Sequence, residues 1–398
     1  MEPKRLRIAF AMINCNRRDG SARAVNEVAE RLARRHEVHL FARRAEDLDL
    51  SLVHWRRMPG LAWPEILDFG SYHLLAGLRL RPGKFDIVHS VGVNAPWANV
   101  ITIQNIQAAK RVFLDSQEKT AKISLPRKLS RRAYLGATTW AEQRKYRSTS
   151  ERKAPLFLPV SRGVEKELRK HYDIGDALVR IIPNAADTEK FKPGVERDRL
   201  AWRSANGLTR SDILLIFVGG EWSRKGLDYA IRSLPLLPDP KVKLIVLGSD
   251  PAERSFRDLA ANLGVKDRTH FLGFQRDVAS ALASSDIFLF PSWYEAFSLA
   301  TIEAAACGLP IVATEINGAE DFIIPEETGA FIEHDPEQIA NVLRPLLLSQ
   351  AERRRMGNNS RKLVERSYTW DRVADLTEQA YREYLNRREM TNSLVNVA

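Results

Sequence analysis

The hydrophobic positions of this chain fall in short runs separated by helical repeats. Arg7–Ile13 is strand-like, and Val25, Val28, Ala29 and Leu32 then recur at helical spacing. Short apolar or β-branched runs follow at Glu37–Phe41, Phe85–Val91 and Val100–Ile103. Beyond a basic segment, Leu156–Val160 reads as a strand, Gly163–Tyr172 as a helix and Val179–Ile182 as another strand. Ala186–Lys192 is polar, lacks periodicity and ends at Pro193, so it reads as a linker.

A second series then begins. Ile213–Val218, Val242–Leu247, Thr269–Leu272, Ile287–Phe290 and Pro310–Ala313 are predicted strands. Between them lie helical patterns at Lys225–Leu236, Glu253–Leu263, Val278–Ala283 and Leu299–Cys307. Gly264 and Gly308 end two of these. Helical patterns fill most of Pro336–Leu385. Strands alternating with helices imply βαβ units and parallel sheets. The 398 residues exceed one compact core. Two α/β domains are expected, over 1–190 and 195–370, with a helix near 371–390 packing back on the first.

Composition narrows the class. Hydrophobic residues at 44% and charged residues at 28% are globular values. Cys15 and Cys307 fit no zinc or redox spacing, and each reads as a buried small apolar residue in a reducing compartment. No metal ligand cluster and no cofactor are expected. No apolar run of about 18 residues occurs, so no membrane-spanning helix is expected. The short apolar run near the N-terminus does not read as a signal peptide, and a cytoplasmic monomer is anticipated.

Charge adds one surface feature. The net charge is +11, and Lys110–Lys153 holds 13 Lys or Arg against 4 Asp or Glu. Within it, Leu129, Ala133, Ala137 and Trp140 share a helical face flanked by Lys128, Arg131 and Arg132. Such a face suits an anionic membrane surface, or it is simply a solvated helix. Nucleic acid would also attract the charge, but no recognition motif accompanies it, so no specific nucleic-acid partner is expected.

Candidate chemistry lies in the second series. Glu295 follows a strand and turn, and Glu303 lies within the next helix. Phe297–Thr301 reads as the first turn of that helix, whose free N–H groups suit a diphosphate, and a carboxylate beside it suits a vicinal diol. Taken alone, the pair reads more simply as an ordinary helix with Glu295 near its positive end and Glu303 solvated. Arg224 and Lys225 follow Gly219 and Gly220 after another strand. Cations are disfavoured at a helix start, so a role in neutralising a diphosphate leaving group explains them better. His89 reads as a satisfied histidine at the core edge.

Together these residues resemble the family 4 retaining glycosyltransferases, the bacterial lipopolysaccharide-core glucosyltransferases among them. Glu295 and Glu303 match the E-x7-E motif, and Arg224-Lys225-Gly226 matches the basic motif. Pro183-Asn184 through Phe191, Phe271-Leu272-Gly273, Gly308-Leu309-Pro310 and Asn317-Gly318 also fit. The resemblance implies the GT-B fold, two Rossmann-like domains facing across a central cleft. It implies donor diphosphate contacts at Arg224 and Lys225, donor-sugar contacts at Glu295, and a ribose contact at Glu303. Backbone at Phe297–Leu299 would meet phosphate, Gly220 and Phe274 would lie near the donor, and Gly20 and Ser21 would approach the donor sugar. Two departures stand out. The first loop has Asp19-Gly20 in place of a Gly-Gly pair, and Gln104 stands where many members carry His.

The resemblance implies transfer of a hexose from a nucleotide sugar, UDP-linked as the first expectation, to a lipid- or membrane-associated glycan acceptor. A sugar-nucleotide epimerase, a non-catalytic sugar-nucleotide-binding protein and a nucleic-acid-binding protein are the alternatives.

Overall fold

The computed structural model describes residues 4–17, 19–61, 63–109, 125–147 and 154–395, the side chains of 125–128 and 391–395 excepted. The chain divides into two compact units, Met1–Pro183 with Trp370–Ala398, and Asn184–Thr369.

The sheet of the first unit contains β1 (Arg7–Ala11), β2 (Glu37–Ala42), β3 (His54–Arg57), β4 (Ile87–Val91), β5 (Val100–Ile103) and β6 (Leu156–Pro159). Their order is β3-β2-β1-β4-β5-β6, all parallel. The central strands are buried along almost their whole length. A parallel sheet covered on both faces needs such unbroken apolar runs. At the edge, β3 reads His-Trp-Arg-Arg and is mostly exposed. Charged edge residues discourage pairing with another chain, and they also hide the strand from a hydrophobic pattern.

Three helices of this unit matter below. The helix α1 (Gly20–Ala33) is capped by Asp19, whose carboxylate accepts from the Ser21 N–H at 3.1 Å. The helix α2 (Glu65–Arg79) buries Phe69, Tyr72 and Ala76 while Leu67, Leu74 and Leu78 stay exposed. With apolar residues on both faces, its period is masked in the sequence. The helix α3 (Leu125–Tyr146) carries the basic segment and packs on α2, with Tyr134 edge-on to Phe69. Val179–Ile182 is not a strand; only a single bridge from Val179 to Phe157 forms there.

The second unit repeats the plan with β7 (Ile213–Val218), β8 (Val242–Leu247), β9 (Thr269–Gly273), β10 (Ile287–Phe290), β11 (Ile311–Thr314) and β12 (Gly329–Ile332). Their order is β9-β8-β7-β10-β11-β12, again all parallel. The order reverses between β7 and β10, and ligands of open α/β sheets bind beyond the strand carboxyl ends at such a switch point.

Candidate active site

Two loops leave this switch point. After β7 the chain runs Gly219-Gly220-Glu221-Trp222-Ser223-Arg224-Lys225-Gly226, and the helix α4 (Leu227–Ser233) starts only beyond it. The expected helix from Lys225 is therefore shorter. Gly226 takes a left-handed φ of 71°, and a Cβ there would fall 1.9 Å from the Pro291 carbonyl oxygen. Only glycine lets this turn pass so close to the loop after β10. Arg224 and Lys225 thus sit in a turn, where no helix dipole opposes them.

Gly219 has a similar function on the other side of the turn. Its φ is 138°, and a Cβ would meet Lys225 Cε at 2.7 Å. The absent side chain is the space in which the lysine lies. Lys225 Nζ also stands 4.6 Å above the Phe290 ring, a cation–π contact.

The second loop brings Glu295 to these cations. Its Oε1 accepts from Lys225 Nζ at 2.9 Å and from Arg224 Nη1 at 3.0 Å. Ser292 Oγ donates to the same oxygen at 3.4 Å. Burial by itself would raise the Glu295 carboxyl, but Lys225 and then Arg224 outweigh it and hold it below the usual carboxylate range. Arg224 is shared, because Glu221 accepts from its Nη2 at 2.8 Å. Four ionised groups, two of each sign, therefore balance at the loop junction.

Beyond Glu295, Ser298 caps the helix α5 (Leu299–Ala306), its hydroxyl accepting from the Thr301 N–H at 3.3 Å. Glu295, Phe297 and Ser298 line one narrow crevice together with Asn317 and Gly318. Glu303 lies in α5 at only 6% exposure, so the solvated reading is wrong for it. It does not line that crevice. Gly220 faces the Ser249 carbonyl after β8, and Phe274 follows β9 with 69% of its surface exposed. Leu299 is the first residue of α5.

The remaining residues are in the first unit. Gly20 and Ser21 open α1, and Gln104 follows β5 directly. On α3, Leu129, Arg132 and Trp140 are exposed and Arg131 is half-buried, whereas the side chain of Lys128 lies outside the described residues. His89 is the satisfied core histidine expected, with Nε2 2.6 Å from Thr102 Oγ1 and Nδ1 bonded to the Tyr381 hydroxyl. Burial pushes it down to about 3. Cys15 and Cys307 are both buried and unbridged.

Two residues with a part in this geometry were missed in the sequence. Asn184 belongs to a stretch that resembled a family linker, yet it is buried and its amide donates to the Phe297 carbonyl at 3.3 Å. It steadies the turn that precedes α5. Glu221 sits three residues before Arg224, a spacing that signals an ion pair, but a left-handed φ of 51° at a non-glycine gave no cue in the sequence.

Comparison with known proteins bears on this geometry. Residues 18–190 match the model of Glycosyltransferase Family 4, and residues 198–363 match that of Glycosyl transferases group 1. Lipopolysaccharide glucosyltransferase WaaG of Escherichia coli (strain K12) is 31% identical over 205 residues, 50% of this chain and 54% of that protein. The chain spans about half the length of this and the similarly matched curated relatives. A crystal structure of WaaG, a glycosyltransferase involved in lipopolysaccharide biosynthesis, superposes with a TM-score of 0.75 at 24% identity, covering 94% of this chain and 98% of that one. The Anabaena protein HepE, crystallised with UDP and glucose, gives 0.71 at 15% identity, covering 95% and 100%.

Proposed function

The chain belongs to the GT-B glycosyltransferases of the family 4 type, and from that membership we propose a retaining, metal-independent hexosyltransferase. Its donor is a nucleotide sugar, UDP-linked, and its acceptor is a lipid- or membrane-associated glycan such as lipopolysaccharide core. The observation that carries the proposal is the Arg224–Lys225–Glu295 cluster at the switch point of the second unit.

The cluster suits a leaving diphosphate. Both cations are pinned by carboxylates. An arriving diphosphate competes for Lys225 and Arg224, which turns Glu295 toward the hydroxyls of the donor sugar. As the sugar–phosphate bond breaks, charge grows on the diphosphate, and preorganised cations stabilise that charge more than the ground state. The Ser298-capped turn, with the N–H groups of Phe297 and Leu299, meets phosphate at the helix start. Glu303 accepts from the ribose diol, and Gly220 and Phe274 border the donor. Gly20, Ser21 and Gln104 keep their expected part as donor-sugar contacts. Gln104 orients hydroxyls but takes no proton at neutral pH.

The proposed membrane association agrees with that acceptor class. The exposed Leu129 and Trp140 with Arg131 and Arg132 fit an anionic bilayer surface on the cytoplasmic side. No helix among the described residues is long and apolar enough to cross a membrane. The decisive experiment incubates the protein with labelled UDP-hexoses and membrane extract, with and without EDTA, and reads the product anomer by NMR. An α-linked product from an α-donor that forms in EDTA is expected. Free epimerised nucleotide sugar, or binding without turnover, would replace this reading with one of its alternatives.

A further inference from the structure

The first unit holds a cavity of about 380 Å³ that the donor chemistry does not use. Cavities of this size lie within the range of small-molecule sites, roughly 300–1,000 Å³. Its position in the sheet is informative. Val88 is the second residue of β4, while Asn99 and Pro155 immediately precede β5 and β6, and all three line the cavity. It therefore opens at the amino ends of the strands. Gln104 lies at the carboxyl end, where nucleotide sites of open α/β sheets form. A nucleotide sugar does not account for it.

The lining is apolar with one sign of charge. Phe85 and Tyr384 are among the apolar walls, Arg144, Lys145 and Arg388 supply the charge, and no carboxylate is among the lining residues. The mouth is built rather than incidental. Trp97 Nε1 donates to the Gly77 carbonyl of α2 at 3.0 Å, and Lys145 Nζ donates to the neighbouring Pro96 carbonyl at 3.0 Å. The Arg144 guanidinium lies 5.6 Å from the ring centre of Trp140. Yet Trp97 and Trp140 remain 51% and 58% exposed.

The surroundings choose between ligands. On α2, Leu74 and Leu78 are each one residue beyond His73, which lines the cavity, and Gly77, which holds Trp97. Both leucines are exposed. A water-soluble anion needs no apolar collar at its mouth. A lipid leaving a bilayer does, and tryptophans bordered by cations are what the interface of an anionic membrane favours.

We infer that this cavity binds a single anionic phospholipid, its acyl portion between the tryptophans and its phosphate at Arg144 and Arg388. The inference deepens the membrane reading above and rests on it. It converts a general attraction to charge into a discrete site, on the end of the sheet opposite Gln104.

The test uses the full chain and three soluble probes: dihexanoyl phosphatidylglycerol below its micelle threshold, dihexanoyl phosphatidylcholine, and inorganic phosphate. Calorimetry measures each, and co-sedimentation with phosphatidylglycerol vesicles runs in parallel. The phosphatidylglycerol should bind saturably at one site, and Trp97→Ser and Arg388→Ala should each weaken it about tenfold or more, the size of a lost charge-assisted or well-buried contact. Both positions are exposed, and UDP affinity should stay unchanged in both variants, which reports an intact fold. Equal binding of inorganic phosphate, or indifference of phosphatidylglycerol to both substitutions, overturns the lipid site. Vesicle binding without binding of the monomeric lipid overturns the site and leaves the membrane reading standing. Loss of both ends the two together.

Discussion

The two units share one strand order but treat a buried carboxylate in opposite ways. In the second unit Glu295 lies between Lys225 and Arg224, and they hold it ionised. In the first, Glu142 is buried on α3, where a backbone N–H and a phenol hydroxyl are its hydrogen-bond donors. It accepts from the Gln107 N–H at 3.1 Å and from the Tyr172 hydroxyl at 2.7 Å, and burial pushes it up to about 7. Identical topology therefore does not set the chemistry; the loops and helices placed on it do. The exposed surfaces diverge too. Of the large exposed hydrophobic side chains among the described residues, most belong to the first unit, including Trp63, Trp97, Leu129 and Trp140. One unit concentrates paired charge at its strand ends, and the other displays apolar surface edged with cations.

The contrast is broken most severely at Lys225. Lys225→Ala removes the cation proposed to neutralise the leaving group, and losing one such preorganised group costs about 10²–10³ in turnover. Steady-state kinetics should show kcat falling by that amount while the affinity for the bare nucleoside changes little. Lys225→Arg keeps the charge and should recover part of the rate. If the alanine variant retains full kcat, the paired-charge cluster is a structural feature and the reaction centre lies elsewhere.

The two carboxylates also predict opposite pH dependences of stability. Folded Glu142 keeps its proton to about pH 7, while the unfolded chain releases it near its ordinary value of 4.5. Between these values the folded state binds more protons, so this contribution is fully present below about 4.5 and is lost as pH rises through about 7. The size is on the order of 3 kcal/mol. Glu295 has the reverse sign. Its folded form loses its proton more readily than the unfolded chain, so its contribution is present above the ordinary carboxylate range and is lost as pH falls. Hydrogen exchange resolved along the chain separates the two. Between pH 5 and 8 the protection difference between wild type and Glu142→Gln should change in the first unit only. The same pH slope in both proteins would mean that Glu142 titrates normally.

Legibility followed the same division. The second unit could be read almost strand by strand because its central strands are unbroken apolar runs and its site residues sit in short motifs. The first unit concealed β3 behind edge arginines and α2 behind apolar residues on both faces. The cavity beside Trp97 was invisible for a further reason. Its walls come from α2, α3, three strand ends and the helix Trp370–Val395, segments up to about 300 residues apart that no local spacing connects. Glu295 was legible as a candidate, but its partnership with both Arg224 and Lys225 depends on two loops meeting at neighbouring strands, β7 and β10.

Glu303 sharpens the comparison more gently, because it separates binding from catalysis within the second unit. It is buried in α5, about a turn beyond the Ser298 cap, so under the proposed function its role is to hold the nucleoside rather than the reacting bond. Hydrogen bonds to a charged group are worth roughly 1.5–3 kcal/mol, and Glu303→Ala should therefore weaken UDP about 10- to 150-fold by calorimetry. Such a loss applies to ground state and transition state alike, so KM for the donor should rise while kcat stays near the wild-type value. Glu303→Gln retains one carbonyl acceptor and should fall between the two. An unchanged UDP affinity in a folded alanine variant would remove Glu303 from the donor site. A fall in kcat with KM unchanged would instead place it beside Lys225 in the chemistry.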